Sequence, residues 1–205
     1  MSTDDAPSGV GDMDLIGGDV CMDFVNTAGD RAGPQLTERL HSYDDLVTWA
    51  ERVELVGPER AARLRRVAAE HPVRAFQALE AARSLREAIH RAFTRVPALP
   101  ADLELLARAA TEATAARRLE PTADGGYAFV WPDDDAPEQI LWPVALTAAD
   151  LLTSGDRDRV KECANDSCRW LFLDKSKNRS RKWCDMKECG NRAKARRFQA
   201  RHRGL

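Results

Sequence analysis

Cysteine is the residue type with the most chemical scope in this 205-residue chain, and four of its five cysteines fall between positions 163 and 189. They form two pairs, Cys163-Ala-Asn-Asp-Ser-Cys168 and Cys184-Asp-Met-Lys-Glu-Cys189, with fifteen residues between the pairs. Each pair can turn both sulfurs toward one ion, and the separation is long enough to form a hairpin that brings the pairs together. This spacing suits tetrahedral Zn²⁺ held by Cys163, Cys168, Cys184 and Cys189. Four thiolates on one Zn²⁺ carry a formal charge of about -2, to be offset by backbone N–H groups and by cations. Lys161, Arg169, Lys182 and Lys187 are placed in sequence to do so. His202 is set aside as a competing ligand because four cysteines already complete the shell.

The net charge of -2 conceals a segregation of sign. Residues 157–205 hold 16 Lys or Arg against 6 Asp or Glu, residues 1–156 hold 15 against 27, and all six lysines lie in the tail. Such asymmetry is the footprint of a module that meets a polyanion. Lys175, Lys177, Arg179 and Arg181 fall in a polar turn, and Arg192, Lys194, Arg196, Arg197, Arg201 and Arg203 follow the last cysteine; all are candidates for phosphate contact. Asn191, Arg192 or Arg196 could read base edges if that segment entered a groove. Double-stranded DNA is the expected partner, and a homodimer would help, because a single finger specifies few base pairs. Two alternatives stand beside it. The basic face could dock an acidic protein or the chain's own acidic body, or RNA could stack on Trp170, Phe172 and Trp183 if these are exposed.

The elements that must position these residues are legible in the same stretch. Residues 170–173 read as a strand, 174–180 as a turn, 181–183 as the return toward the second pair, and 193–199 as helix, so the last ligand sits in a first helical turn. Knuckle, hairpin and helix together describe a treble-clef-like finger, with Ala195 and Phe198 expected to pack on Trp170, Phe172 or Trp183. A module this small has little core, so metal binding should supply on the order of 10 kcal/mol of its folding free energy.

The rest of the chain, residues 1–156, has the size of a body to which residues 157–205 are appended. With 43% hydrophobic and 31% charged residues the chain reads as globular and mainly helical. A short apolar segment over 17–27 could be a buried helix turn or a strand and is read as helix. Ser42 caps a helix that Gly57-Pro58 ends, Pro58, Pro72 and Pro100 each open another, and a final body helix covers 138–153. In the Pro72 helix Phe76, Leu79, Ala82, Leu85 or Arg86, Ile89 and Phe93 recur at helical spacing; in the Pro100 helix Leu103, Leu106 and Ala110 do. In the last, Leu141, Val144, Ala145, Ala148 and Leu152 should face inward. Between 118 and 131 the period falls to two around Asp124-Gly125-Gly126, a β-hairpin signal. The fold class is therefore α+β, a mainly helical N-terminal domain with a small hairpin and a C-terminal zinc finger.

No nucleophile elbow, phosphate loop or dinucleotide fingerprint occurs, so enzymatic activity is not expected. The acidic start lacks a signal-peptide pattern and the longest apolar run, residues 140–146, is far shorter than a membrane span, which points to a cytoplasmic protein. Cys21 reads as a buried structural thiol, and His41, His71 and His90 as ordinary scattered imidazoles. Asn26, Arg83 and Arg86 lie in or beside apolar periodic segments and need partners if buried; a small anionic effector is one, an internal carboxylate such as Asp23 the other.

The cysteine segments also carry a resemblance. Cys163-Ala-Asn-Asp-Ser-Cys168, Trp170-Leu-Phe-Leu-Asp174, Arg181-Lys-Trp-Cys184 and Cys189-Gly-Asn-Arg192-Ala-Lys resemble the CGNR zinc finger. The Gly-Gly, Asp-Phe-Val-Asn-Thr and Ala-Ala-Asp-Leu-Leu segments upstream resemble the ABATE domain, which precedes this finger in bacterial proteins described as stress-induced transcription regulators. The resemblance implies an α+β body with a ligand-sensing role, and no ligand position departs from it.

Overall fold

The computed structural model describes residues 9–31, 36–95 and 97–202. Helix α1 (Val20–Val25) leads through the short paired strands β1 (Ala28–Gly29) and β2 (Thr37–Glu38) into α2 (Tyr43–Arg52), α3 (Pro58–Glu70), α4 (Pro72–Thr94) and α5 (Pro100–Ala115). The hairpin of β3 (Arg118–Pro121) and β4 (Tyr127–Val130) follows, then a 3-10 turn (Pro137–Ile140) that runs into α6 (Leu141–Thr153). Strands β5 (Val160–Glu162) and β6 (Leu171–Leu173) and helix α7 (Asn191–His202) follow, and among the described residues the strands form three two-stranded antiparallel pairs. Among the described residues no helix is long and apolar enough to cross a membrane.

Local chemistry sets the helix starts. Ser42 and Asp45 form a capping box: the Ser42 hydroxyl accepts from the Asp45 N–H at 3.2 Å, and the Asp45 carboxylate accepts from the Ser42 N–H at 2.7 Å. Pro58, Pro72 and Pro100 each occupy a first helical position, where the missing N–H costs nothing. Asp19 caps α1 by accepting from the Cys21 N–H.

The body core gathers Phe24, tilted against Trp49 with ring centroids 5.0 Å apart, and the inner faces of α2, α4 and α6. On α4 the buried stripe runs through Ala75, Ala78, Leu79, Ala82, Leu85, Arg86 and Ile89. Phe76, which periodicity places inward, is 61% exposed, because the small alanines beside it carry the packing face and one residue turns the helix by about 100°. Leu103 on α5 is likewise largely exposed. On α6 the inward residues are Leu141, Val144, Ala145, Ala148 and Leu151, with Leu152 at the edge of the core rather than inside it. Cys21 is fully buried, and burial raises its thiol well above the ordinary range.

The finger's hairpin differs from the sequence reading. Strand β6 pairs with β5, Val160 opposite Leu173 and Glu162 opposite Leu171, so the first cysteine pair is the loop of this hairpin. Residues 181–183 return as irregular chain instead, joined by a hydrogen bond from the Ala164 N–H to the Lys182 carbonyl. An extended strand needs a ladder partner for its N–H and C=O groups, and β6 finds one upstream. The resulting order of knuckle hairpin, loop, turn and helix is treble-clef-like.

The finger is joined to the body through β6. Leu171 and Leu173 belong to the body core, while Phe172, on the alternate face, packs on the cysteines. The outer edge of β6 is closed by body groups: the Asn26 amide donates to the Leu171 carbonyl and accepts from the Leu171 N–H, both at 2.9 Å, and the Leu173 N–H donates to the Gly17 carbonyl at 2.7 Å. Gly18 adopts φ +76° there, with its Cα so close that a Cβ would lie 3.2 Å from the Leu173 carbonyl oxygen.

Candidate metal centre

Backbone geometry delivers the four sulfurs to one point. The Cys163 N–H donates to the Trp170 carbonyl at 2.8 Å, closing the hairpin above the knuckle, and the Cys168 N–H donates to the Asn165 carbonyl at 2.8 Å. Arg169, in the left-handed region at φ 59°, turns the chain back into β6. On the other side Asp185 caps a single π-helical turn, Met186–Gly190, through the Glu188 N–H, and that turn presents Cys189 immediately before α7. Gly190 packs closely under Met186 in this turn: a Cβ would lie 2.5 Å from the Met186 sulfur, and the methionine side chain would have to shift.

The four Sγ atoms lie within 4.8 Å of one another, with Cys168 to Cys184 and Cys184 to Cys189 both at 3.6 Å. Four sulfurs about 2.3 Å from a tetrahedral Zn²⁺ would be about 3.8 Å apart, so the donor set and its dimensions fit a metal ion. Four sulfurs at this range readily share one negative charge and oppose the next. Hydrogen bonds from Cys168 and then Cys184 hold the Cys163 thiol far below its ordinary range, and contact with Cys163 pushes Cys168 up to about 12 and Cys184 upward as well. A divalent cation among them removes that conflict.

Two supporting residues were not singled out from the sequence. Asn165, 1% exposed inside the first cysteine pair, donates from Nδ2 to the Cys189 sulfur at 3.3 Å and accepts on Oδ1 from Ser167 and Arg196. Buried Asp174, just past β6, accepts from Lys161 Nζ at 2.7 Å, from the Ser176 N–H and hydroxyl, and from the Arg181 N–H. Lys161, then Ser176, hold its carboxyl well below the usual carboxylate range. An Asp at the end of an apolar strand before Lys-Ser is an Asx-turn signal and could have found it.

The basic residues divide into two groups. Arg181 is half-buried over the Phe172 ring at 4.3 Å and donates to the carbonyls of Trp183, Ile16 and Cys184. Lys161 and Arg169, expected to offset the thiolates, pair with Asp174 and Glu162. Arg192 pairs with Glu188 at 2.8 Å across one helical turn, and Arg196 donates to Asn165, so both hold α7 to the cysteine module. Lys175, Lys177, Arg179, Lys182, Lys187 and Lys194 are exposed, with no ion pair among the described residues, and Asn191 is exposed at the start of α7. Arg197 lies in α7 but its side chain, like all of Arg203, is outside the described residues. Phe198 is 62% exposed, and Ile16 of the body packs against the cysteine cluster together with Trp170 and Trp183. Those two tryptophans are half-buried and Phe172 is fully buried.

A groove of about 260 Å³ runs along the seam beside Cys168 and Cys184, lined by Asp12, Asp14, Asp30, Asp185 and Glu188 against Arg39 and Arg192, an excess of acid. This side of the cysteine cluster is acidic, so a polyanion would be repelled there.

The three polar residues considered for a small ligand have internal partners. Arg86, 2% exposed, forks onto Glu38 at 2.6 Å for both bonds and reaches Glu87 and Thr27. Arg83 donates to the Leu40 carbonyl and to Glu80, with Glu38 3.9 Å away. These two therefore share Glu38, while Asn26, at the end of α1, lies apart and bonds to the Leu171 backbone of β6. Asp23, the carboxylate suggested as their partner, accepts from the Gly17 N–H. The satisfying acid is Glu38, brought in by β2 and not recognisable from helical periodicity.

Comparison with known families gives two matches. The model for the ABATE family, described as "Putative stress-induced transcription regulator", matches residues 18–155. The model for the CGNR zinc finger matches residues 159–202. A comparison with curated proteins finds no match.

Proposed function

From the premise that this chain belongs to the ABATE family and ends in a CGNR zinc finger, we propose that it is a DNA-binding regulator that acts by binding rather than by catalysis. Cys163, Cys168, Cys184 and Cys189 would hold Zn²⁺, whose contribution is a rigid crosslink between the knuckle and the start of α7. The observation that carries the reading is the exposed cation set Lys175, Lys177, Arg179, Lys182, Lys187 and Lys194 around that crosslink, without ion pairs among the described residues, on a chain whose body is acidic. Arg181 is left out of the phosphate-contacting set because its donors already meet carbonyls of the finger and of the body. Duplex DNA is favoured over RNA because Trp170, Phe172 and Trp183, the rings considered for stacking, are packed at the cysteine cluster. A small effector sensed by the body, and pairing of two copies on DNA, complete the proposal.

Titration of the metal-loaded protein onto duplex DNA at several salt concentrations tests it. Binding should weaken steeply with salt, and replacing Lys175, Lys177 and Arg179 with Ala should reduce the log–log salt slope by about 2–3 while leaving metal content unchanged. Absence of affinity at low salt, or a slope the triple variant leaves intact, would overturn the reading.

A further inference from the structure

A second cleft on the seam between body and finger has the opposite sign to the groove beside the sulfurs. Its volume is about 260 Å³, and Arg31, Arg91 and Arg95 of the body face Arg169 of the finger across it. Thr94 and His90 lie on the body wall and Glu162 on the finger wall. Three of the four guanidinium groups have one carboxylate each: Arg31 with Glu87 at 2.6 Å, Arg91 with Asp102 at 2.7 Å, and Arg169 with Glu162 at 2.8 Å. Arg95 has no such partner among the described residues, which leaves the cleft with one uncompensated positive charge.

The pairings also leave donors free. Asp102 occupies Nε and Nη2 of Arg91, and Glu162 occupies Nη1 of Arg169, so one edge of each guanidinium remains. Arg31 gives Nη1 and Nη2 to Glu87 and Nη2 also to the Val25 carbonyl, and keeps Nε and the second Nη1 hydrogen. Cations near the end of α4 complement the helix dipole, which accounts for Arg91 and Arg95. It does not account for Arg31, from the segment after β1, or for Arg169, held in a left-handed turn of the knuckle. Burial and the field of Arg31 lower the His90 imidazole to about 4, so at neutral pH it is an uncharged ring that can still donate one hydrogen bond. Guanidinium donors converging from separate segments suit a tetrahedral anion with three peripheral oxygens better than a planar carboxylate.

We propose that this cleft is a binding site for a phosphate group, which Arg31, Arg91 and Arg95 grip from the body and Arg169 from the finger, so that the anion locks the two together. The same chemistry could come from a free phosphorylated small molecule or from a backbone phosphate of nucleic acid passing the knuckle. The inference does not rest on DNA binding.

The test is calorimetric titration of inorganic phosphate into the full, metal-loaded chain, with the His90 ring resonance followed by NMR. Saturable binding that shifts the His90 signal is expected. Arg95→Ala breaks no described ion pair and Arg169→Ala removes a largely exposed one; each should weaken binding about tenfold or more. Arg74→Ala is the control, since it lies 21 residues before Arg95, about 30 Å away along α4, and should leave binding unchanged. If the two cleft variants keep their DNA affinity and phosphate does not compete with DNA, the ligand is a free anion. If DNA binding falls with phosphate binding and phosphate competes, the source is a nucleic-acid backbone. No saturable phosphate binding, or binding that Arg95→Ala and Arg169→Ala leave intact, overturns the inference. Phosphate binding in a protein with no DNA affinity would overturn only the function proposed above.

Discussion

Replacing Asn26 with Ala tests the claim that body and finger are one cooperative structure. The Asn26 amide makes two hydrogen bonds of 2.9 Å to the backbone of Leu171, and both residues are 1% exposed. Truncation leaves the Leu171 N–H and C=O without that partner and shielded from water. At about 1–3 kcal/mol for each buried group left unsatisfied, the cost should be about 3–4 kcal/mol. For a chain of this length each kcal/mol lowers the melting temperature by about 2–4 °C, so a fall of about 6–16 °C is expected. Thermal and urea denaturation of the metal-loaded protein measure it, and hydrogen exchange at the Leu171 and Leu173 amides localises it. Asn26→Asp should be no better at neutral pH, because it keeps the acceptor for the Leu171 N–H but sets a carboxylate oxygen against the Leu171 carbonyl. A stability change for Asn26→Ala within about 0.5 kcal/mol of zero, the range of ordinary surface substitutions, would refute the reasoning and return Asn26 to the candidates for ligand contact.

Cys184→Ser should abolish stoichiometric metal content, and because Leu171 and Leu173 sit in the body core it should also lower the unfolding midpoint of the body; a body transition unchanged in urea would show the two to be independent. Arg86→Met should cost about 2–3 kcal/mol at neutral pH, less than for a fully buried pair, by leaving the half-buried carboxylate of Glu38 without its main partner. Burial works against that carboxylate and Arg86 more than offsets it, so its acidity is enhanced in the fold; the contribution is present above the ordinary Glu range and lost as pH falls through the depressed value. The variant's deficit in chemical denaturation should therefore shrink in acid, and a deficit constant with pH would contradict the pairing. Asp23 behaves oppositely, since burial raises its carboxyl from 3.8 to about 6. Asp23→Asn, which keeps the acceptor for the Gly17 N–H, should stabilise the protein by about 1–3 kcal/mol above pH ~6 and by roughly half as much at pH ~5. A gain equal at both pH values would show that charge burial is not its cause.

Much of the site was legible in the chain itself. The spacing of Cys163, Cys168, Cys184 and Cys189 announced a single metal position, because short-range geometry within each pair leaves few other ways to use four thiols. Helix starts at Ser42, Pro58, Pro72 and Pro100 were equally readable, since capping and a fixed φ act within one turn. The tail's excess of cations was a matter of counting. Which partners those cations have was decided only by the fold: Arg181, Arg192 and Arg196 look the same as Lys175 or Lys177 in sequence, yet they meet carbonyls, Glu188 and Asn165. The same holds for β5 as the partner of β6, for Ile16 in the place expected of Phe198, and for Glu38 beneath Arg86. Each of these depends on segments far apart in the chain that meet only when the core closes. Local propensity and spacing carry no information about which distant group arrives there, so periodicity could identify the buried polar residues but not their partners.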